Sequence, residues 1–285
     1  MCLCLSERHS RYTDAVLLVQ RFPLNVAAHL PQGNRSSCCA ALVSPSKIRG
    51  TDLPCLSVVI PSYNEGATVI SAIRLVLAQS EVQEVVVIDD GSQDQTWEML
   101  QLLCAEEPRV IALRHPENRG KGAALRTGFA KTSADIVLVQ DADLEYDPGE
   151  YPTLVKPILD DRADVVFGSR FSGAGAHRVL YFWHFVGNKL ITMFSNICTN
   201  LNLTDIEVGY KVFRREILQK ITLCEDRFGF DPEFTAKVAK LDNVRIYEVP
   251  ISYYGRTYAE GKKIGWRDGI AALWYIVKYN AFVDM

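Results

Sequence analysis

Two hydrophobic rhythms alternate along the chain from Leu56 onward. Short apolar runs rich in Val and Ile cover residues 56–61, 84–89, 109–113, 135–140 and 164–167, and these read as strands. Between them, residues 67–79 put Val69, Ile70, Ile73, Val76 and Leu77 at helical spacing. Residues 96–105 and 122–131 read as two further helices, the first opened by Asp94 as a cap. The strands are apolar throughout rather than alternating. That pattern predicts an α/β fold with a mostly parallel sheet covered by helices on both faces.

The first fifty residues lack either rhythm and mix Pro, Ser, Arg and Cys. They are expected to be a poorly defined extension, 1–50, ahead of a catalytic domain at 51–255 and a final segment at 256–285. The apolar run 15–19 is too short for a signal peptide and meets Arg21 and Pro23. No stretch approaches the roughly 18 to 20 consecutive apolar residues that span a bilayer.

Ligands of parallel sheets bind beyond the carboxyl ends of the strands, so those ends carry the chemistry. They read Pro61-Ser62-Tyr63-Asn64-Glu65, Asp89-Asp90-Gly91-Ser92, Asn118-Arg119-Gly120-Lys121-Gly122, Asp141-Ala142-Asp143 and Gly168-Ser169-Arg170. On an extended segment residues i and i+2 share a side, so Asp141 and Asp143 can reach one cation, with Glu145 continuing the alternation. Carboxylate oxygens suit Mg²⁺ or Mn²⁺, ions often shared with a substrate pyrophosphate. A net charge of -3 argues against nucleic acid as a partner. The eight cysteines form no Cys-x-x-Cys pair, which argues against zinc and for a reducing compartment. No Gly-x-Gly-x-x-Gly follows the first strand, which weakens a dinucleotide-binding dehydrogenase.

Taken in order, Val58-Val59-Ile60-Pro61-Ser62-Tyr63-Asn64-Glu65, Val87-Ile88-Asp89-Asp90-Gly91-Ser92-Gln93-Asp94, Asn118-Arg119-Gly120-Lys121-Gly122 and Asp141-Ala142-Asp143 resemble the successive motifs of family 2 glycosyltransferases with a GT-A fold. Gly168-Ser169-Arg170-Phe171 and Val249-Pro250-Ile251 through Gly261-Lys262-Lys263 resemble the dolichol-phosphate mannose synthase branch. The resemblance runs from about residue 55 to the end. It implies that Pro61, Tyr63 and Glu65 hold the base and ribose of a nucleotide sugar, with Asp89 or Asp90 accepting a hydrogen bond from it. It further implies that Lys121, Arg256 and Lys262 meet the diphosphate, and that Asp141, Asp143 and Glu145 hold the metal. Arg170 then contacts the acceptor phosphate, with His184 and Asn188, four residues apart on one helical face, as further contacts.

A sugar hydroxyl would need a general base, whereas a polyprenyl phosphate brings its own negative charge and needs cations to orient it. Arg170, His177, Arg178, His184 and Lys189 supply such groups. Two acids remain open as a base for a hydroxyl acceptor, Asp205 and Asp231; the latter, with Glu233, also fits a helix cap and first turn. A non-catalytic nucleotide-sugar-binding subunit is a third reading.

Residues 178–203 and 266–283 are rich in Trp, Tyr and Phe beside Arg and Lys, a composition that suits a helix lying in a membrane interface or packing on the sheet. The expectation is therefore a peripheral enzyme at a cytoplasmic membrane face, with a membrane-anchoring subunit as a further candidate partner.

Overall fold

In the computed structural model, which describes residues 55–173, 178–179, 181–256 and 266–283, the chain opens with three strand–helix units. These are β1 (Leu56–Ser62) and α1 (Val69–Leu77), β2 (Val82–Asp89) and α2 (Thr96–Glu106), and β3 (Val110–Arg114) and α3 (Lys121–Phe129). Next come β4 (Ile136–Val139), a single 3₁₀ turn (Pro148–Glu150), α4 (Tyr151–Leu159) and β5 (Val165–Ser169). The remainder comprises α5 (Phe182–Thr199), β6 (Lys211–Arg214), α6 (Ile217–Lys220), α7 (Phe230–Ala239), β7 (Ile246–Pro250) and α8 (Trp266–Val277).

The seven strands form one sheet in the order β3-β2-β1-β4-β6-β5-β7. All pairings are parallel except those of β6, which runs antiparallel between β4 and β5. Val58, Val59 and Ile60, Val85 through Ile88, and Ile136 through Val139 are fully buried on both faces. That is why these runs lack alternation. Gly128 lets α3 approach β1, because a Cβ there would clash with Cγ1 of Val59.

This topology gathers the carboxyl ends of β1 through β5 at one edge and brings the amino end of β6 there too. The five expected strands are present. β6 and β7 lie outside the expected set, because β6 is bounded by Lys211 and Arg214 and β7 carries Glu248 at its centre. Lys211 of β6 is nonetheless completely buried.

Two local expectations are corrected. The Asp141–Glu145 stretch is not extended: pairing to β1 ends with the Gln140 N–H bonded to Val59, and Leu144 takes a left-handed φ of 61°. Beyond Gln140 no neighbouring strand holds the chain flat, and Asp143 instead accepts the Glu145 N–H in a tight turn (3.2 Å). Nor does Asp231 cap its helix. α7 starts at Phe230, so both Asp231 and Glu233 lie inside its first turn.

α5, α7 and α8 pack against one another beside the sheet. No described helix is long and apolar enough to cross a membrane.

Candidate active site

The first two loops at the edge are built from each other. Asn64 donates its N–H to Ser92 Oγ (2.9 Å) and accepts that of Gln93 (2.8 Å), while Glu65 N–H reaches Thr96 Oγ1 (3.0 Å). Asp94 accepts from Gly66 N–H and Thr96 N–H, but it is not the expected cap: Gln95 holds the cap position of α2, and Asp94 precedes it. Asp89 and Asp90 both point inward. Asp89 pairs with Arg114 (3.0 Å), which lies over the Trp97 ring. Asp90 accepts the N–H groups of Arg119 (3.0 Å) and Gly120 (2.7 Å) and pairs with His115 (2.6 Å). Asp89 also accepts the Ser92 N–H (3.2 Å), so it braces the loop after β2, while Asp90 braces the loop that launches α3.

α3 begins at Lys121, whose Nζ sits 2.7 Å from Asp141 Oδ1. Burial opposes the lysine's charge, but Asp141 and then Asp231 outweigh it and hold its pKa above the usual range. Arg256, from the segment after β7, lies among three acids: 2.8 Å from Asp143, 3.3 Å from Glu65 and 3.5 Å from Glu145. Its backbone N–H also donates to Glu145 (2.7 Å), and the Tyr253 hydroxyl donates to the other oxygen of Glu145 (2.9 Å). Gly209 backs Asp141 so closely that a Cβ there would clash with Asp141 Oδ2.

Burial, and then the charges of Asp141 and Glu145, push Asp143 up to about 7 despite Arg256. Three carboxylates crowded so that one is hard to ionise form a hard oxygen set suited to a divalent cation. They do not converge on one point here. Among the described residues no three acids, histidines or cysteines form a metal-holding group, because Lys121 and Arg256 stand between the carboxylates. The Nε of Arg256 is buried without a hydrogen-bond partner, a donor left over amid the acids.

A second charged cluster adjoins the first. Arg170, just after β5, forks onto Asp205 through Nε (2.7 Å) and Nη2 (2.9 Å), and Nη2 also reaches the Glu207 carbonyl (3.1 Å). Its guanidinium lies 5.1 Å above the Tyr253 ring, which links it to Glu145. Burial raises the pKa of Asp205, but the charge and hydrogen bonds of Arg170 win and hold it below the ordinary value. Lys211 is bonded to Asp231 and to the Ile206 (3.2 Å) and Val208 (2.6 Å) carbonyls. Glu233 faces away, holding the N–H groups of Cys224 (2.7 Å) and Glu225 (2.8 Å) and pairing with Lys237 (2.7 Å). The two acids left open as bases are therefore each closed on a buried cation.

Residues 57–222, more than half of the chain, match Glycosyl transferase family 2. The chain belongs to this family. Among its relatives is an undecaprenyl-phosphate mannosyltransferase of Micrococcus luteus, 32% identical over 240 residues that cover 76% of this chain and 94% of the relative. Another is an undecaprenyl-phosphate 4-deoxy-4-formamido-L-arabinose transferase of Aeromonas hydrophila, 30% identical over 75% of this chain and 64% of that one. Among solved structures, glucosyl-3-phosphoglycerate synthase from Mycobacterium tuberculosis, in complex with Mn²⁺ and UDP-glucose, superposes with a TM-score of 0.61 at 22% identity. That match covers 81% of this chain and 80% of the other, and it shows the GT-A fold.

In this family 2 transferase, α5 carries the other expected acceptor contacts. The His184 ring lies tilted beside that of Tyr181 (5.4 Å), and Asn188 accepts from Thr192 (3.3 Å). Lys189 donates to the Thr204 carbonyl (3.1 Å) above the Phe171 ring, and Arg178 donates to the Gly255 carbonyl (2.9 Å) beside Arg256. His177 and Gly261-Lys262-Lys263 lie outside the described residues. The outward faces of α5 and α8 are apolar and aromatic, with Trp183 79% and Trp274 58% exposed and Phe182, Ile197 and Ile270 beside them.

Sequence reasoning missed Lys211. Its signal was a lysine flanked by Tyr210 and Val212-Phe213, where a surface strand would alternate.

Proposed function

We propose that this family 2 glycosyltransferase moves a hexose from a nucleotide sugar, GDP-mannose or a UDP-sugar, to a polyprenyl phosphate at a membrane surface on the cytoplasmic side. The observation that carries the reading is the pairing of Asp205 with Arg170 and of Asp231 with Lys211. Each carboxylate is already engaged by a buried cation, so neither stands ready as a base for a neutral hydroxyl. A phosphate monoester needs none, since it carries about 1.5 to 2 negative charges at neutral pH. The undecaprenyl-phosphate relatives and the aromatic faces of α5 and α8 support the same acceptor.

The loop of Pro61, Tyr63 and Glu65, held by Ser92, Gln93 and Thr96, receives the nucleoside. Lys121 and Arg256 balance the acids and are the groups that meet the diphosphate oxygens. Asp141, Asp143 and Glu145 would hold Mg²⁺ or Mn²⁺, which when bound offsets the charge of the diphosphate leaving group. Arg170, with His184 and Asn188, orients the acceptor so that one phosphate oxygen lies behind the anomeric carbon. That oxygen forms the new bond on the face opposite the nucleotide. The old C–O bond breaks with its electron pair going to the nucleoside diphosphate, and the anomeric configuration inverts.

A radiolabelled transfer assay tests this, with undecaprenyl phosphate, a panel of GDP- and UDP-sugars and Mn²⁺ or Mg²⁺. Label should enter the lipid fraction from one donor and fall at least about a hundredfold with Asp143→Asn or with chelator. Label passing instead to a glycan or lipid hydroxyl would overturn the reading.

A further inference from the structure

Glu207 stands between the two closed ion pairs and has no role in the account above. It lies on the loop that enters β6 from the ligand edge, and its carbonyl anchors Arg170. The residue is partly exposed, yet its Oε1 is sealed from solvent and has no hydrogen-bond partner. A buried carboxylate oxygen without a donor is strongly disfavoured. The charged groups facing it are Asp231 from α7, Lys211 from β6, Arg170 after β5 and Asp205 on its own loop. Two cations already balance two anions there, so a third carboxylate would stand in excess.

The cheapest resolution is for Glu207 to keep its proton. Burial and then the charge of Asp231 push its pKa up to about 8. A protonated carboxyl has one O–H to give, and Oε2, the oxygen that is not sealed, is the one that can present it to a ligand.

The place of Glu207 says what can take that hydrogen. Two residues further on, Gly209 abuts Asp141. Arg170, held at the Glu207 backbone, bridges by way of Tyr253 to Glu145. Glu207 therefore flanks the carboxylate cluster on the side of Arg170, where the proposed function seats the acceptor phosphate.

We propose that Glu207 is a specificity-determining residue for an anionic acceptor, its protonated carboxyl donating a hydrogen bond to an oxygen of the acceptor phosphate. This rests on the polyprenyl-phosphate reading of the acceptor. No proton is transferred; it stays on Glu207 throughout. The arrangement favours an acceptor that can accept a hydrogen bond over one that must lose a proton. It also ties acceptor affinity to pH, since an ionised Glu207 would repel the phosphate.

The test is calorimetric binding of farnesyl phosphate, in detergent, to the full chain and to Glu207→Gln and Glu207→Leu, across about pH 6 to 9. Wild-type affinity should fall about tenfold as the pH rises through the Glu207 titration. Glu207→Gln donates an N–H at every pH, so it should bind within about threefold of wild type at neutral pH and keep that affinity in alkali. Glu207→Leu should bind about tenfold more weakly at neutral pH and lose the alkaline fall. Titration with UDP and GDP monitors the fold of both variants, and the wild-type pH profile stands whether or not the leucine variant folds.

A flat wild-type profile, or two variants that bind like wild type throughout, would overturn the inference and leave the acceptor reading intact. Full farnesyl phosphate affinity in Glu207→Gln together with abolished transfer would make Glu207 a base, and overturns it as well. Failure of the wild type to bind farnesyl phosphate at all would remove the acceptor reading and the inference with it.

Discussion

Arg170 and Asp205 show how a buried charge pair both builds and constrains the edge. The guanidinium spends two of its donors on Asp205 and one bond on the Glu207 carbonyl, which fixes the loop that precedes β6. Removing one partner of a buried pair leaves the other uncompensated and typically costs about 3–5 kcal/mol. Arg170→Met should therefore lower the urea unfolding free energy at pH 7 by about that amount. The sign of its pH dependence follows from Asp205, whose folded pKa is depressed. A depressed carboxylate contributes stability above its unfolded pKa of about 3.9, and that stability is lost as pH falls through the folded value. The deficit of Arg170→Met should accordingly shrink on acidification, as the stranded Asp205 takes up a proton. A deficit independent of pH would mean that lost packing, not lost charge, dominates.

At the scale of elements, α5 and α8 combine a face packed against each other with a face that is aromatic and bare. Their Trp, Phe and Ile side chains, with Lys189 on α5 and Arg178 just before it, and Arg267 on α8 and Lys278 just after it, have the composition of an interfacial helix pair. Burial of one tryptophan in a headgroup layer is worth about 2 kcal/mol or more by its apolar area. Trp183→Ala and Trp274→Ala should each weaken partition onto anionic lipid vesicles by about tenfold or more in a sedimentation assay. Neither should alter the thermal midpoint much, because both side chains face outward. Vesicle binding unchanged in the double variant would remove α5 and α8 as the membrane surface.

For the whole molecule, the ligand edge is assembled from both ends of the sheet. Asp143 follows β4, Arg256 follows β7, and they meet at 2.8 Å. Donor and metal bound between such distant segments should act as a clasp on the fold. With a nucleotide sugar at about a hundred times its Kd, linkage gives about 2.7 kcal/mol of stabilisation. A rise of several degrees in the melting midpoint should follow with the correct donor plus Mn²⁺, and chelator should abolish most of it. An equal rise without metal would argue that Lys121 and Arg256 alone hold the diphosphate.

By itself the sequence determined the repeating strands, the helices between them and the polar residues that end each strand. Those features follow from local periodicity, which a short window of chain expresses in full. It also carried the ordered motifs by which the family was recognised, because each lies on one turn at one strand end. Only the tertiary structure decided the antiparallel entry of β6, the burial of Lys211 and the partners of Asp205, Asp231 and Arg256. Those outcomes hinge on which residues meet across 20 to 191 positions of chain, and no local pattern encodes a cation's distant counter-charge. The same separation explains Asp141, Asp143 and Glu145. Their identity was legible in five consecutive residues, but the turn at Leu144 and the cations between the acids arise from packing. Glu207 carries no local signal of its own; only the fold sets it beside two neutralised pairs.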